Sequence, residues 1–81
     1  MKITIKFLSY LHTTVGVKML ERDVAPSLTL DELLQILKTE FPQLARTIPN
    51  LTVTLNRQIV PPQIRLKEGD EVALFPPVSG G

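Results

Sequence analysis

Eighty-one residues, 43% of them hydrophobic and none of them Cys, with nine Lys and Arg against eight Asp and Glu, describe one small domain of net charge +1. A chain of this size buries roughly 60–65% of the surface it exposes when unfolded, which excludes a two-lobed catalytic architecture, and the lack of Cys excludes disulfide staples and thiolate metal sites. The balanced charge supplies no footprint for phosphates, so nucleic acid is a poor partner, and no apolar run approaches the ~20 residues of a membrane span.

The amino end, Met1-Lys2-Ile3-Thr4, turns polar too quickly for a signal peptide, and a soluble, cytoplasmic domain is expected. Residues 2–8 alternate, with Ile3, Ile5 and Phe7 on one side and Lys2, Thr4 and Lys6 on the other, as in a half-buried strand. A loop is expected up to Gly16. Residues 17–24 then alternate again, with Val17, Met19 and Val24 as the inward side against Lys18, Glu21 and Asp23, and the two runs suggest a hairpin.

Leu28-Thr29-Leu30-Asp31-Glu32-Leu33 is the clearest local signal. Thr29 and Glu32 have the spacing of a capping box, and Leu28 and Leu33 that of a hydrophobic staple. The stripe Leu30, Leu33, Leu34, Leu37 and Phe41 predicts an amphipathic helix that Pro42 ends. Residues 42–50 read as an irregular connector, with room for one helical turn, in which Leu44 and Ile48 plug the open end of the core.

Alternation resumes over 51–56, with Leu51, Val53 and Leu55 on one side. A tight turn at Asn56-Arg57-Gln58, a short strand at Ile59-Val60 stopped by Pro61-Pro62, a glycine turn at Lys67-Glu68-Gly69-Asp70, and a last strand over 71–75 complete the chain. One amphipathic helix and four or five strands with one apolar face bury each other as a mixed sheet crossed by the helix, a β-grasp. The vacancy for the last strand lies beside the first. The expected division is a domain over 1–75 and an extended tail over 76–81.

That tail reads Pro76-Pro77-Val78-Ser79-Gly80-Gly81. The prolines forbid further pairing and favour an extended exit, which at ~3.3 Å per residue reaches about 20 Å. Gly80 and Gly81 carry no side chain. They read as a frayed end, a cloning scar, or a thin probe that delivers the α-carboxylate of Gly81 into a narrow enzyme channel, where absent Cβ atoms allow close approach. A carboxylate is a poor acyl donor until it gains a leaving group. Adenylation by ATP would supply one, and attack by sulfide or persulfide would then form a thiocarboxylate, whereas attack by a thiol or amine would form a conjugate. The chain offers no nucleophile, base or phosphate loop for that step, so an activating partner is required.

With its acidic turn, apolar strand and Phe75-Pro76-Pro77-Val78-Ser79-Gly80-Gly81 ending, the sequence resembles the small subunit of molybdopterin synthase, the MoaD type within the ubiquitin-like MoaD and ThiS carriers. Length, the opening strand, Val15-Gly16, the helix, and residues 53–60 around Asn56 fit the same pattern. The resemblance implies a β-grasp fold and a sulfur carrier that is not catalytic alone. Gly81 would be adenylated by a MoeB-type enzyme using ATP, acquire sulfur from a donor protein as a thiocarboxylate, and be threaded into a MoaE-type large subunit. Two transfers to precursor Z (cyclic pyranopterin monophosphate) would build the molybdopterin dithiolene. It also implies a heterotetramer of two small and two large subunits, with no permanently bound cofactor or metal. A thiamine or tRNA-thiolation carrier, and a small protein modifier joined through Gly81, remain alternatives.

Leu8, Ile59 and Phe75 fall on apolar positions directed away from the helix, which makes them candidate partner anchors together with Pro76, Pro77 and Val78. The other reading is that one or two of them cover the sheet edge under the 42–50 connector. His12, with no second His and no Cys, reads as a loop residue in water. Asp70 and Glu71 read as a solvated turn, and Arg57, Arg65 and Lys67 either as a modest basic rim near the tail or as scattered solubilising charge.

Overall fold

Ile3, Ile5 and Phe7, the alternate residues of the first strand, are all at most 2% exposed, and the rest of the molecule is organised around them. The computed structural model describes residues 1–46 and 51–76. The elements are β1 (Lys2–Phe7), α1 (Leu11–Val15), β2 (Met19–Asp23), α2 (Leu30–Glu40), α3 (Pro42–Ala45), β3 (Thr52–Leu55) and β4 (Glu71–Phe75). The sheet order is β2-β1-β4-β3, with β1 parallel to β4 and the outer pairs antiparallel. The last strand thus lies beside the first, at the centre. Ile5, Phe7, Val72, Leu74 and Leu55 form one core with Leu30, Leu33 and Leu37 of α2. This is the ubiquitin-like β-grasp. No described helix is long and apolar enough to cross a membrane.

The capping box forms as its spacing predicts. Thr29 Oγ1 accepts from the Glu32 N–H at 3.1 Å, and Glu32 Oε1 accepts from the Thr29 N–H at 2.9 Å. Two more free amides of the first turn are satisfied by the connection before β4: Leu30 N–H donates to Ile64 O at 3.0 Å and Asp31 N–H to Pro62 O at 2.9 Å. Leu66 of the same connection is buried in the core. The bonds that Glu32 accepts from the Thr29 backbone and side chain hold its carboxyl below the ordinary value of 4.5. A carboxyl lowered on folding stabilises the fold above its unfolded value, and that contribution is lost as pH falls through the folded one. Stability is therefore expected to decline as pH drops below 4.5. Thr29→Ala should cost about 1 kcal/mol in urea denaturation at neutral pH and weaken this acid-dependent loss.

Four expectations are corrected. Val24 packs against the core as expected, but within β2 the inward side is not that of Val17 and Met19: Ile5 faces Leu20 and Ile3 faces Arg22, and facing residues share a side of the sheet. Leu20, Arg22 and Val24 are half-buried, whereas Val17 and Met19 are 37% and 54% exposed. Arg22 is tolerated on the helix side because one of its guanidinium nitrogens lies 2.6 Å from both carboxylate oxygens of Glu40 on α2. Next, the stretch expected as a loop contains α1, held by fully buried Leu11 and closed by Gly16 at φ +92°, whose N–H donates to His12 O at 2.8 Å. His12 therefore sits on a helix, half-buried, with Nδ1 donating to Ser9 O at 2.6 Å.

Ile59-Val60 forms no strand. The turn closes on a single bridge between Leu55 and Gln58, and the two prolines that follow cannot donate to a ladder, so the described sheet has four strands. Finally, Asp70 is 5% exposed rather than solvated. It accepts from Asn56 Nδ2 at 3.0 Å and from the Lys67 N–H at 2.7 Å, while Asn56 Oδ1 accepts from the Glu71 N–H at 2.9 Å. These bonds make its burial affordable and pin the β3 turn to the start of β4. Leu44, on the single turn of α3, is fully buried as a core plug; Ile48 lies outside the described residues.

Candidate docking face and carrier terminus

Because side chains alternate across a strand, the burial of Ile5, Phe7, Val72 and Leu74 turns Lys6, Leu8, Glu71, Ala73 and Phe75 toward the face opposite α2. Register brings them together. Lys6 and Thr54 both face Ala73, one from each side, and Leu8 prolongs the β1–β4 pairing by donating its N–H to Leu74 O at 3.0 Å. Lys6, Leu8, Thr54, Arg57, Glu71, Ala73 and Phe75 line a shallow concavity of about 340 Å³. Lys6 Nζ meets Glu71 Oε2 at 3.1 Å. Leu8 and Phe75 are half-buried, so each offers apolar surface to a partner while remaining anchored in the sheet.

Of the three proposed anchors, the structure brings Leu8 and Phe75 together. Ile59 is 73% exposed and does not line their concavity. Pro76 follows β4 and is buried; Pro77, Val78, Gly80 and Gly81 lie outside the described residues. The basic residues are distributed. Arg57 lines the concavity, Arg65 bridges to Thr29 at the start of α2, and Lys67 is exposed on the turn before β4. Lys6, Thr54 and Ala73 also line the concavity; the period-two pattern of β1 assigns Lys6 to this face, and register carries Ala73 and Thr54 with it. No group of three or more His, Cys, Asp or Glu among the described residues is placed to hold a metal.

The ThiS family model matches residues 5–81. The chain belongs to the ThiS family. Among the relatives of this ThiS-family chain, the molybdopterin synthase sulfur carrier subunit of Chlamydomonas reinhardtii is 30% identical over 83 residues that cover all of both chains. SAMP1 from Haloferax volcanii is 28% identical with a TM-score of 0.85, again over 100% of each chain. A complex of subunits 1 and 2 of the molybdopterin-converting factor from Helicobacter pylori contains a chain 26% identical, with a TM-score of 0.73 and full coverage of both. The ThiS-family chain is thus a ubiquitin-like protein of the ThiS and MoaD type.

Proposed function

We propose that this ThiS/MoaD-type sulfur carrier is the small subunit of a cytoplasmic molybdopterin synthase, and that it carries sulfur on the α-carboxylate of Gly81. The observation that carries the reading is the 30% identity, over the whole of both chains, to a molybdopterin synthase sulfur carrier subunit. The Leu8–Phe75 face supports it, lying on the two central strands at the end of β4 from which the chain continues toward Gly81.

In the proposed cycle a carboxylate oxygen of Gly81 attacks the α-phosphorus of ATP on a MoeB-type enzyme and expels pyrophosphate. A persulfide on a donor protein then displaces AMP to give an acyl disulfide, and a thiol attacks the donor's sulfur, so that the S–S bond breaks, a new disulfide forms and the thiocarboxylate leaves. The carrier docks on a MoaE-type large subunit through Leu8 and Phe75, with Pro76, Pro77 and Val78 guiding the terminus into that subunit. The sulfur bonds to a carbon of precursor Z as an oxygen substituent leaves that carbon, and water then cleaves the acyl C–S bond of the resulting thioester, restoring the Gly81 carboxylate. Two carriers and two large subunits make the assembly. The ATP is consumed by the partner, and the catalytic groups are the large subunit's.

Intact mass of the protein isolated from cells making molybdopterin tests the reading. A gain equal to exchange of one oxygen for sulfur is the expected result. Phe75→Ala should weaken binding to the large subunit by about tenfold or more while lowering the melting temperature only slightly, since truncation of a half-buried interface aromatic costs association more than folding. Equal losses in both would make Phe75 a core residue.

The likeness to SAMP1 favours a second reading, a small modifier joined through Gly81 to lysines of target proteins. Isopeptide-linked ladders that vanish when Gly81 is removed would establish it.

A further inference from the structure

The turn between β3 and the connection to β4 holds a residue that the fold itself does not favour. Leu55 N–H donates to Gln58 O at 2.8 Å and Gln58 N–H to Leu55 O at 3.0 Å. The two residues between them, Asn56 and Arg57, have φ of +50° and +71°. Two consecutive left-handed residues make the mirror-image tight turn of hairpins, whose second position belongs to glycine because a Cβ there is strained. Asn56 is accounted for: short amide side chains tolerate this conformation, and its own is bonded to Asp70 and to the Glu71 N–H. Arg57 has no such account. Its exposed side chain makes no hydrogen bond or ion pair among the described residues.

Its position supplies one. Arg57 lines the concavity that contains Leu8, Ala73 and Phe75. Lys6 on the same concavity is neutralised by Glu71 at 3.1 Å, which leaves Arg57 as the uncompensated cation among its described lining residues. A guanidinium at the margin of an apolar contact forms a bidentate pair with a carboxylate, and Arg is among the residues that dominate interface energetics.

Building on the docking reading above, we infer that Arg57 is a charge anchor of this face, retained against backbone strain to meet a carboxylate on the partner surface that covers Leu8 and Phe75. The partner is accordingly a protein with an apolar patch bordered by Asp or Glu.

The distinguishing property is opposite signs in folding and binding. Arg57→Gly should leave the melting temperature unchanged or raise it by about 2–5 °C, because relief of the positive-φ strain outweighs the added freedom of the unfolded chain. The same variant should raise the Kd for the purified MoaE-type large subunit, measured by calorimetry, by about tenfold and flatten its salt dependence. Arg57→Glu should weaken binding by about 100-fold, and Arg57→Lys should recover part of the loss. If the parent chain binds and Phe75→Ala weakens it, yet Arg57→Gly binds within about twofold of the parent, the anchor is refuted and the docking face stands. If the parent chain does not bind, or Phe75→Ala binds as the parent does, the docking reading fails and the anchor falls with it. A fall in melting temperature for Arg57→Gly refutes the strain on which the inference depends.

Discussion

A chain ending at Ser79, lacking Gly80 and Gly81, is expected to form no thiocarboxylate and to support no molybdopterin synthesis in a reconstituted system, while melting within about 3 °C of the parent. The two halves of that result have separate causes. The buried core of the described residues runs from Ile3 to Leu74, and two glycines have no side chain to add to a core. Transfer, in contrast, requires a particular acyl carbon at the reacting centre, and the order of events leaves no substitute: a carboxylate must be adenylated before sulfur can displace AMP. Ser79 would offer a carboxylate two residues short of the activating site. Gly81→Ala is the finer probe, because it keeps the carboxylate and adds one methyl beside the reacting carbon. Loss of alignment at a reacting centre costs about 100-fold, and ATP–pyrophosphate exchange with the activating enzyme would register it before any effect on docking. Normal product from the truncated chain would falsify the carrier mechanism outright.

The parts of the fold legible beforehand are those with one strong period. β1 alternates cleanly, so its buried side follows from counting by twos, and in the apolar run 72–75 of β4, Val72 and Leu74, larger than the Ala73 between them, mark the inward phase and leave Phe75 on the outward one. α2 announces its first turn through Thr29 and Glu32 and its face through Leu30, Leu33 and Leu37. β2 misleads because period two admits two phases, and hydropathy favours the one containing Val17 and Met19. Only the pairing of Ile3 with Arg22, and the Glu40 carboxylate waiting on α2, selects the other. α1 is five residues long, rich in β-branched side chains and without a side-chain cap, so its helicity comes from the burial of Leu11 rather than from local preference. Asp70 reads as solvated because its bond from Asn56 and the adjoining Asn56–Glu71 bond span 14 and 15 positions of sequence, and Leu66 lies in a connection with no period at all. The same limit applies to the site. Asn56-Arg57 reads as a turn, but the positive φ of Arg57 follows from the reciprocal Leu55–Gln58 bonds, which no local pattern displays. The terminus was legible as chemistry, through its missing side chains and its carboxylate, and its pathway only through resemblance.

Leu44→Ala is expected to be among the most destabilising single truncations in the chain. The side chain is fully buried, yet it belongs to a four-residue helix, which has no stability of its own and persists only because it is packed. α3 packs against both α1 and α2, so removing Leu44 leaves a void where three short or medium elements converge. Truncation of a buried Leu costs about 2–5 kcal/mol, against a total stability of about 4–12 kcal/mol for a domain of this size. The midpoint of urea denaturation should fall accordingly, with the slope unchanged, and the melting temperature should drop by about 10–25 °C. Ile59→Ala, at a site 73% exposed, should change stability by about 0.5 kcal/mol or less and marks the opposite extreme. The docking face lies on the side of the sheet opposite α2, whereas Leu44 belongs to the core on the helix side. Folded Leu44→Ala at low temperature should therefore bind the large subunit with parental affinity, separating loss of fold from loss of contact. A cost below about 1 kcal/mol would mean that the neighbouring side chains collapse into the void, and that the turn after α2 is not the plug that closes this end of the core.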